Sequence, residues 1–292
     1  MSAPRACALA GRVAETLQRP ADPAARAMAR HLAKREGVVA VLFYGNRLRH
    51  PEGAGLLDLY VLTESDAAYH GHGLSALANR LLPPNVYHER LDDPAIGAKV
   101  AVISLPAFRR RMRRGGPDTT LWARFAQPAA LLHARDAAAR TAVIEAIAEA
   151  WRTAAWWADR LEPGETRWAG LFAATYGAEL RVEGAARSSA ITAADPALYG
   201  AIDRLLPPET VSPQDARQAR RVWRRQRRIG KGLNILRLAK AALTFRGGIS
   251  YALDKVERHT GAPVHLSPWA RRVPWLAAPA VLIRLLRQGR LR

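Results

Sequence analysis

The segment that most constrains the fold is Val38-Val39-Ala40-Val41-Leu42-Phe43-Tyr44, seven apolar residues in a row, rich in β-branched and aromatic side chains. A run of this length and composition fits a strand buried inside a sheet. It stops at Gly45-Asn46, and a polar loop with Pro51, Gly53 and Gly55 follows. A second apolar run, Leu56-Leu57-Asp58-Leu59-Tyr60-Val61-Leu62, then reads as another buried strand carrying one carboxylate. Charge is costly to bury unless it is paired or used, so Asp58 marks this strand as functional.

Around this pair the chain organises itself by punctuation. Residues 1–35 read as helical, divided by Pro20 and Pro23. A helix is expected over 75–82, ended by Pro83-Pro84, followed by strands over 85–90 and 99–105. The pattern then becomes helical. Asp136 is placed to cap a helix over 137–161, with Val143, Ile147, Trp151, Ala154, Ala158 and Leu161 at helical spacing, and Pro163-Gly164 closes it. Another helix is expected over 168–182. Ser212-Pro213-Gln214-Asp215 has capping-box spacing with proline at the first helical position, so a helix opens there. The expected fold class is α+β, with a mixed-sheet domain over 1–135, a helical domain over 136–240 and a basic amphipathic segment over 241–292.

Charge separates the parts. The whole chain has 45 Lys+Arg against 25 Asp+Glu, a net +20. Residues 217–292 hold 19 Lys+Arg and only Asp254 and Glu257, a net +17, which leaves +3 for the first 216 residues. A surface this cationic implies an anionic partner, nucleic acid or acidic lipid. The single Cys7 excludes an internal disulfide and a thiolate metal site. No secretion signal is read near the N-terminus, where Arg5 and Arg12 bracket only small residues, and the expected location is cytoplasmic. Near the C-terminal end the longest apolar stretch, over 273–283, is interrupted by Pro274 and Pro279, well short of the roughly 20 residues of a membrane-spanning helix.

A tight glycine turn at a strand end lets backbone N–H groups approach a phosphate, while a carboxylate on the neighbouring strand can hold Mg²⁺ against the same phosphates. Strand, Gly45-Asn46, a loop of about ten residues and Asp58 is therefore the layout of a nucleotidyltransferase active site. A structural turn with an Asp at a strand end is the competing reading. The usual second carboxylate, two residues on, is here Tyr60, which the strand period places on the same face as Asp58.

The sequence from Val38 to about residue 182 resembles the mitochondrial translocator assembly and maintenance family of phosphatidate cytidylyltransferases. That family's Tyr-Gly-Ser-Gly is matched by Tyr44-Gly45-Asn46-Arg47, and its Leu-Asp-Phe segment, which keeps a single Asp, by Leu57-Asp58-Leu59. Its Trp-His pair is echoed by Tyr69-His70, its Val-Tyr-Tyr by Val86-Tyr87-His88, and its Ile-Lys-Tyr-Gly-Val-Ile-Ser strand by Ala98-Lys99-Val100-Ala101-Val102-Ile103-Ser104. Further on, Leu121-Trp122-Ala123-Arg124-Phe125-Ala126-Gln127-Pro128 matches its Leu-Tyr-x-x-Gly-Arg-Leu-x-Lys-Pro. Tyr176-Gly177-Ala178-Glu179-Leu180-Arg181-Val182 matches its Tyr-x-Gly-Asp-x-Arg-Met. The departures are Asn46 for serine, Arg47 for the second glycine, Gln127 for lysine and Glu179 for aspartate.

The resemblance implies a polymerase-beta-type nucleotidyltransferase fold and transfer of CMP from CTP to phosphatidic acid. On that basis Asp58 holds Mg²⁺, with Glu179 as second ligand. Tyr44, Gly45, Asn46 and Arg47 bind the nucleotide, and Lys99 and Arg124 neutralise charge on the departing pyrophosphate. Tyr176 and Arg181 bind the lipid. For Lys99 and Arg124, a snorkelling or solvated cation is an equal alternative.

Other features are read as structural. His70 and His72 lack neighbouring metal ligands and are expected in a solvated loop. Trp151, Trp156 and Trp157 are expected to pack helices, and Gly247-Gly248 to form a turn. The basic residues fall into two groups. Arg220, Arg221, Arg224, Arg225, Arg227 and Arg228 lie on the helix opened at Ser212 and suit nucleic-acid phosphates. Residues 266–292 alternate Trp, Leu, Val and Ile with arginine, the pattern of a segment lying on an anionic membrane surface. The expectation is a peripheral membrane enzyme on the cytoplasmic face. The alternative is a catalytically reduced nucleotidyltransferase-fold protein that binds RNA or DNA through its arginine helix.

Overall fold

The protein is described by a computed structural model that covers residues 2–51, 53, 55–91, 96–116, 119–161, 165–178 and 190–244. Five strands form one mixed sheet: β1 (Val38–Tyr44), β2 (Leu57–Thr63), β3 (Asn85–Leu91), β4 (Ile96–Ser104) and β5 (Ala129–Ala134). Their order is β3-β4-β2-β1-β5. β2 and β4 run parallel, and the other neighbours are antiparallel. The architecture is α+β, as the sequence implies.

Both apolar runs become central strands. All seven residues of β1 are buried, and in β2 only Asp58 is not fully buried. Two helices precede the sheet, α1 (Ala3–Leu17) and α2 (Pro23–Ala33), separated at the prolines as expected. Asp22 caps α2, its Oδ1 accepting from Ala24 N at 2.8 Å. One sheet face, with Val41, Phe43, Leu59, Val61, Val100 and Val102, packs against Ala25, Met28, Ala29 and Leu32 of α2.

Leu42, Tyr44, Tyr60, Leu62, Ala101 and Ile103 line the other face. They pack with α1 and with α6 (Leu105–Arg111), α7 (Thr120–Phe125), α8 (Ala137–Ala158) and α9 (Arg167–Ala178). The hydrophobic core runs without a break from this face into the helical region. Asp136 caps α8 as its sequence predicts, accepting from Ala139 N at 2.7 Å. Trp151 and Trp157 are fully buried, so truncating either to alanine costs about 3–5 kcal/mol. The Trp151 indole donates to the Phe125 carbonyl at 3.2 Å, and Thr153 Oγ1 to the Met112 carbonyl at 2.7 Å. The first bond fixes α7 against α8, and the second ties α8 to the end of α6.

Three short helices sit at the sheet margins: α3 (Asn46–Arg49), α4 (Asp66–His70) and α5 (Leu74–Leu81). Two more close the described chain, α10 (Pro196–Leu205) and α11 (Pro213–Thr244). At the start of α11 the expected capping geometry forms, Asp215 N donating to Ser212 Oγ at 3.1 Å. Among the described residues no helix is long and apolar enough to cross a membrane. The expectations for Gly247-Gly248 and for residues 266–292 lie outside the described residues.

Candidate functional site

Strand register assembles the site. In the β1–β2 pair Tyr44 lies opposite Asp58, and in the β2–β4 pair Asp58 lies opposite Lys99. Ala129 flanks Tyr44 on β5, and His88 flanks Lys99 on β3. Partners in register share a face, so Ala129, Tyr44, Asp58, Lys99 and His88 form a row across the sheet, about 4.8 Å from strand to strand. The strand period puts Tyr60 on that face too, beside Asp58, as the sequence implied.

At the end of β1 the chain turns through Gly45 with φ +89° and ψ −161°, a region essentially reserved for glycine. The turn passes so close to β2 that a Cβ on Gly45 would stand 2.7 Å from Asp58 Oδ2. The missing side chain leaves the carboxylate uncovered from the backbone side. Among the described residues no hydrogen bond or ion pair engages Asp58.

Above the row, α7 supplies Arg124. Its Nη1 donates to the Tyr60 hydroxyl at 2.9 Å, and its guanidinium carbon lies 5.3 Å from the Tyr44 ring centroid and 5.9 Å from that of Tyr60. Tyr44, Tyr60 and Phe125 pack on one another with centroids 5.2–5.9 Å apart. Arg124 is thus a positioned cation held on two aromatic faces and one hydroxyl.

The remaining predicted residues are distributed differently. Asn46 is exposed at the start of α3, a helical turn where the sequence suggested a loop. Arg47 is ion-paired with Asp22, the cap of α2, which ties the turn to that helix. This partner is not legible in the sequence, because Asp22 lies 25 residues back, across the whole of α2 and β1. Tyr176 is buried in the core on α9. Glu179 and Arg181 lie outside the described residues, so the second metal ligand is not placed.

Two clusters were missed. Arg49, also on α3, donates to Gln127 Oε1 at 3.3 Å, and Gln127 Nε2 donates to the Ala123 carbonyl. This links the glycine turn to the end of α7. The second cluster corrects the solvated-loop reading of His70. Its Nδ1 is 3.0 Å from the Tyr87 hydroxyl and its Nε2 3.2 Å from Asn79 Nδ2, inside a network that includes Asn85. Burial, reinforced by Lys240, lowers the His70 pKa to about 4, so the ring is neutral. His72 does remain exposed. The missed signal was Asn79 and Asn85 flanking the Pro83-Pro84 corner.

Among the described residues no group of three or more His, Cys, Asp and Glu converges. Mg²⁺ bound through one carboxylate, several waters and a nucleotide's phosphates does fit the uncovered Asp58.

No protein-family model matches the sequence, and no curated protein matches it. Among solved structures the chain is similar to a nucleotidyltransferase-like protein from Exiguobacterium sibiricum. The two are 12% identical over 89% of this chain and 88% of that one, with a TM-score of 0.27, too distant a likeness to support an argument about fold or activity.

Proposed function

We propose that this chain is a nucleotidyltransferase, and specifically one that moves CMP from CTP to phosphatidic acid, giving CDP-diacylglycerol and pyrophosphate. The reading is carried by the close approach of Gly45 to the open Asp58 carboxylate, with Lys99 next to it in register and Arg124 fixed above. An anionic, polyphosphate-bearing substrate suits a site that combines one carboxylate with two cations and a bare backbone turn.

A phosphate oxygen of phosphatidic acid donates an electron pair to the α-phosphorus of CTP. The bond from that phosphorus to the bridging oxygen breaks, and its electron pair leaves on pyrophosphate. A phosphate monoester is largely doubly ionised at neutral pH, so no strong general base is needed. Mg²⁺ held through Asp58 would screen the phosphate charges and keep attacking and leaving oxygens in line. Lys99 and Arg124 oppose the charge that grows on the leaving group, and the rigid hold of Tyr44 and Tyr60 on Arg124 spares reorganisation during the reaction. The basic amphipathic segment over 266–292 would keep the enzyme on the cytoplasmic face of an anionic membrane, where its lipid substrate resides.

The test is conversion of radiolabelled CTP and phosphatidate vesicles into a lipid-soluble product by purified protein with Mg²⁺. Asp58→Asn should lower the rate by at least about a hundredfold while leaving the melting transition in place. Equal inactivity of wild type and variant would overturn the proposal.

A further inference from the structure

We infer that the groove between α9 and α11 is a binding site for the headgroup of an anionic phospholipid. The groove encloses about 380 Å³, within the range of small-molecule sites. Its walls are Leu161, Ala174 and Trp223, and its rim carries Arg217, Arg220, Arg221 and Arg224. On a helix these four positions, spaced by three, four and seven residues, share one face. An apolar floor under a guanidinium rim matches an amphiphile whose charged end is a phosphate and whose body is hydrocarbon.

Three of the four rim arginines are not balanced by any described residue. Elsewhere arginines find carboxylates: Arg152 pairs with Glu149, Arg160 with Glu209, Arg167 with Asp159 and Asp203. Arg217, Arg221 and Arg224 have no ion pair or hydrogen bond among the described residues. The one acid of α11, Asp215, accepts a bond from the Ser212 hydroxyl instead. Like charges at i,i+4 work against the helix that carries them, and a bound phosphate relieves that repulsion. Residues 245–292 hold nine Lys+Arg against two acids, so their charge does not suit them as occupant.

Lipid is favoured over nucleic acid by the aromatic and apolar side chains. Trp223 is only 7% exposed, packed at an angle on Trp157 at 5.0 Å and Trp122 at 6.3 Å, too buried to serve as a stacking platform for a base. The same helix exposes Val222, Ile229 and Leu236 in a row at seven-residue spacing. This row lies about 130° round the helix from the arginine rim, across Arg225 and Arg228, so the exposed surface of α11 mixes apolar and basic side chains as a segment at a bilayer interface does. The groove shares no residue with the surroundings of Asp58, so it stands or falls independently of the reaction proposed there.

The full-length protein is titrated calorimetrically with dihexanoylphosphatidylglycerol below its micelle concentration, and in parallel with dihexanoylphosphatidylcholine, inorganic phosphate and a single-stranded RNA oligomer. The anionic lipid should bind at least about tenfold more tightly than either the zwitterionic lipid or free phosphate. Replacing Arg217, Arg221 and Arg224 together by glutamine should weaken it about a hundredfold, since each cation near an anionic headgroup contributes about one-tenfold step or slightly less. Ala174→Leu fills the groove without changing charge. It should weaken lipid binding and leave RNA affinity unaltered. The inference is overturned if inorganic phosphate binds as well as the anionic lipid, or if Ala174→Leu leaves lipid binding intact. It is equally overturned if the arginine variant, with an unchanged melting curve, keeps wild-type lipid affinity.

Discussion

Gly45→Ala separates backbone strain from steric contact at the candidate site. At φ +89° and ψ −161° an alanine pays about 1–3 kcal/mol for a conformation that L side chains rarely adopt. The new Cβ would also stand 2.7 Å from Asp58 Oδ2, 3.3 Å from its Cγ and 3.2 Å from its Cβ. Relieving that contact means displacing the carboxylate or the turn, and overpacking of this kind costs a further 1–3 kcal/mol or so. The expected total is about 3 kcal/mol, measured by urea unfolding followed through tryptophan fluorescence. In an Asp58→Ala background Oδ2 and Cγ are gone and only the Cβ contact stays, so the strain remains while most of the steric part disappears. The double-mutant cycle should therefore return a coupling of about 1–2 kcal/mol between Gly45 and Asp58. If Gly45→Ala unfolds within about 0.5 kcal/mol of wild type, or carries the same penalty in both backgrounds, the close approach that defines the site is refuted.

Other outcomes follow from particular contacts. Arg167 Nε and Nη2 bind both oxygens of Asp159, and its Nη1 binds Asp203 Oδ1 and the Leu206 carbonyl. Arg167→Met strands the Asp159 carboxylate, whose side chain is 4% exposed, and should cost about 3–5 kcal/mol in urea unfolding. Tyr60→Phe removes the hydroxyl that positions Arg124 and should lower the nucleotidyl-transfer rate with little change in melting temperature. His70 has a folded pKa of about 4 against 6.5 when free, so its neutral form is what the fold accommodates. Its contribution is intact above pH 6.5 and is lost as pH falls toward 4, with a slope of less than about 1.4 kcal/mol per pH unit because the ring is only half-buried. Unfolding free energies of His70→Gln across that window should be flatter than those of wild type.

The legibility of the fold varied with the range of the interactions behind it. β1 was read to the residue, since seven buried apolar side chains permit little else. α8 and α11 were marked by caps whose partners lie three residues away. β5 was not expected: Ala129-Ala130-Leu131-Leu132-His133-Ala134 has few β-branched residues, and pairing with β1 makes it a strand. The expected loop after Gly45 begins as a helical turn, held by the Arg47–Asp22 pair and by the Arg49–Gln127 bond, 78 residues apart. The burial of His70 is hidden in the sequence for the same reason, since Asn79, Asn85 and Tyr87 come to it around the Pro83-Pro84 corner.

What the sequence alone determined was the pair of buried strands, the glycine turn, the lone strand carboxylate and the helix starts, because these depend on side-chain period, backbone sterics and hydrogen bonds between near neighbours. Tertiary structure decided which groups meet. Lys99 lies beside Asp58 because β2 and β4 pair in parallel register, and Arg124 reaches Tyr60 across 64 residues only because α8 pins α7 over the sheet. It also decided that the arginines of α11 rim an apolar groove, since Ala174 comes from α9 and Leu161 from just beyond α8. A local pattern fixes which face a side chain takes, but the partner across that face depends on how distant elements share a common core.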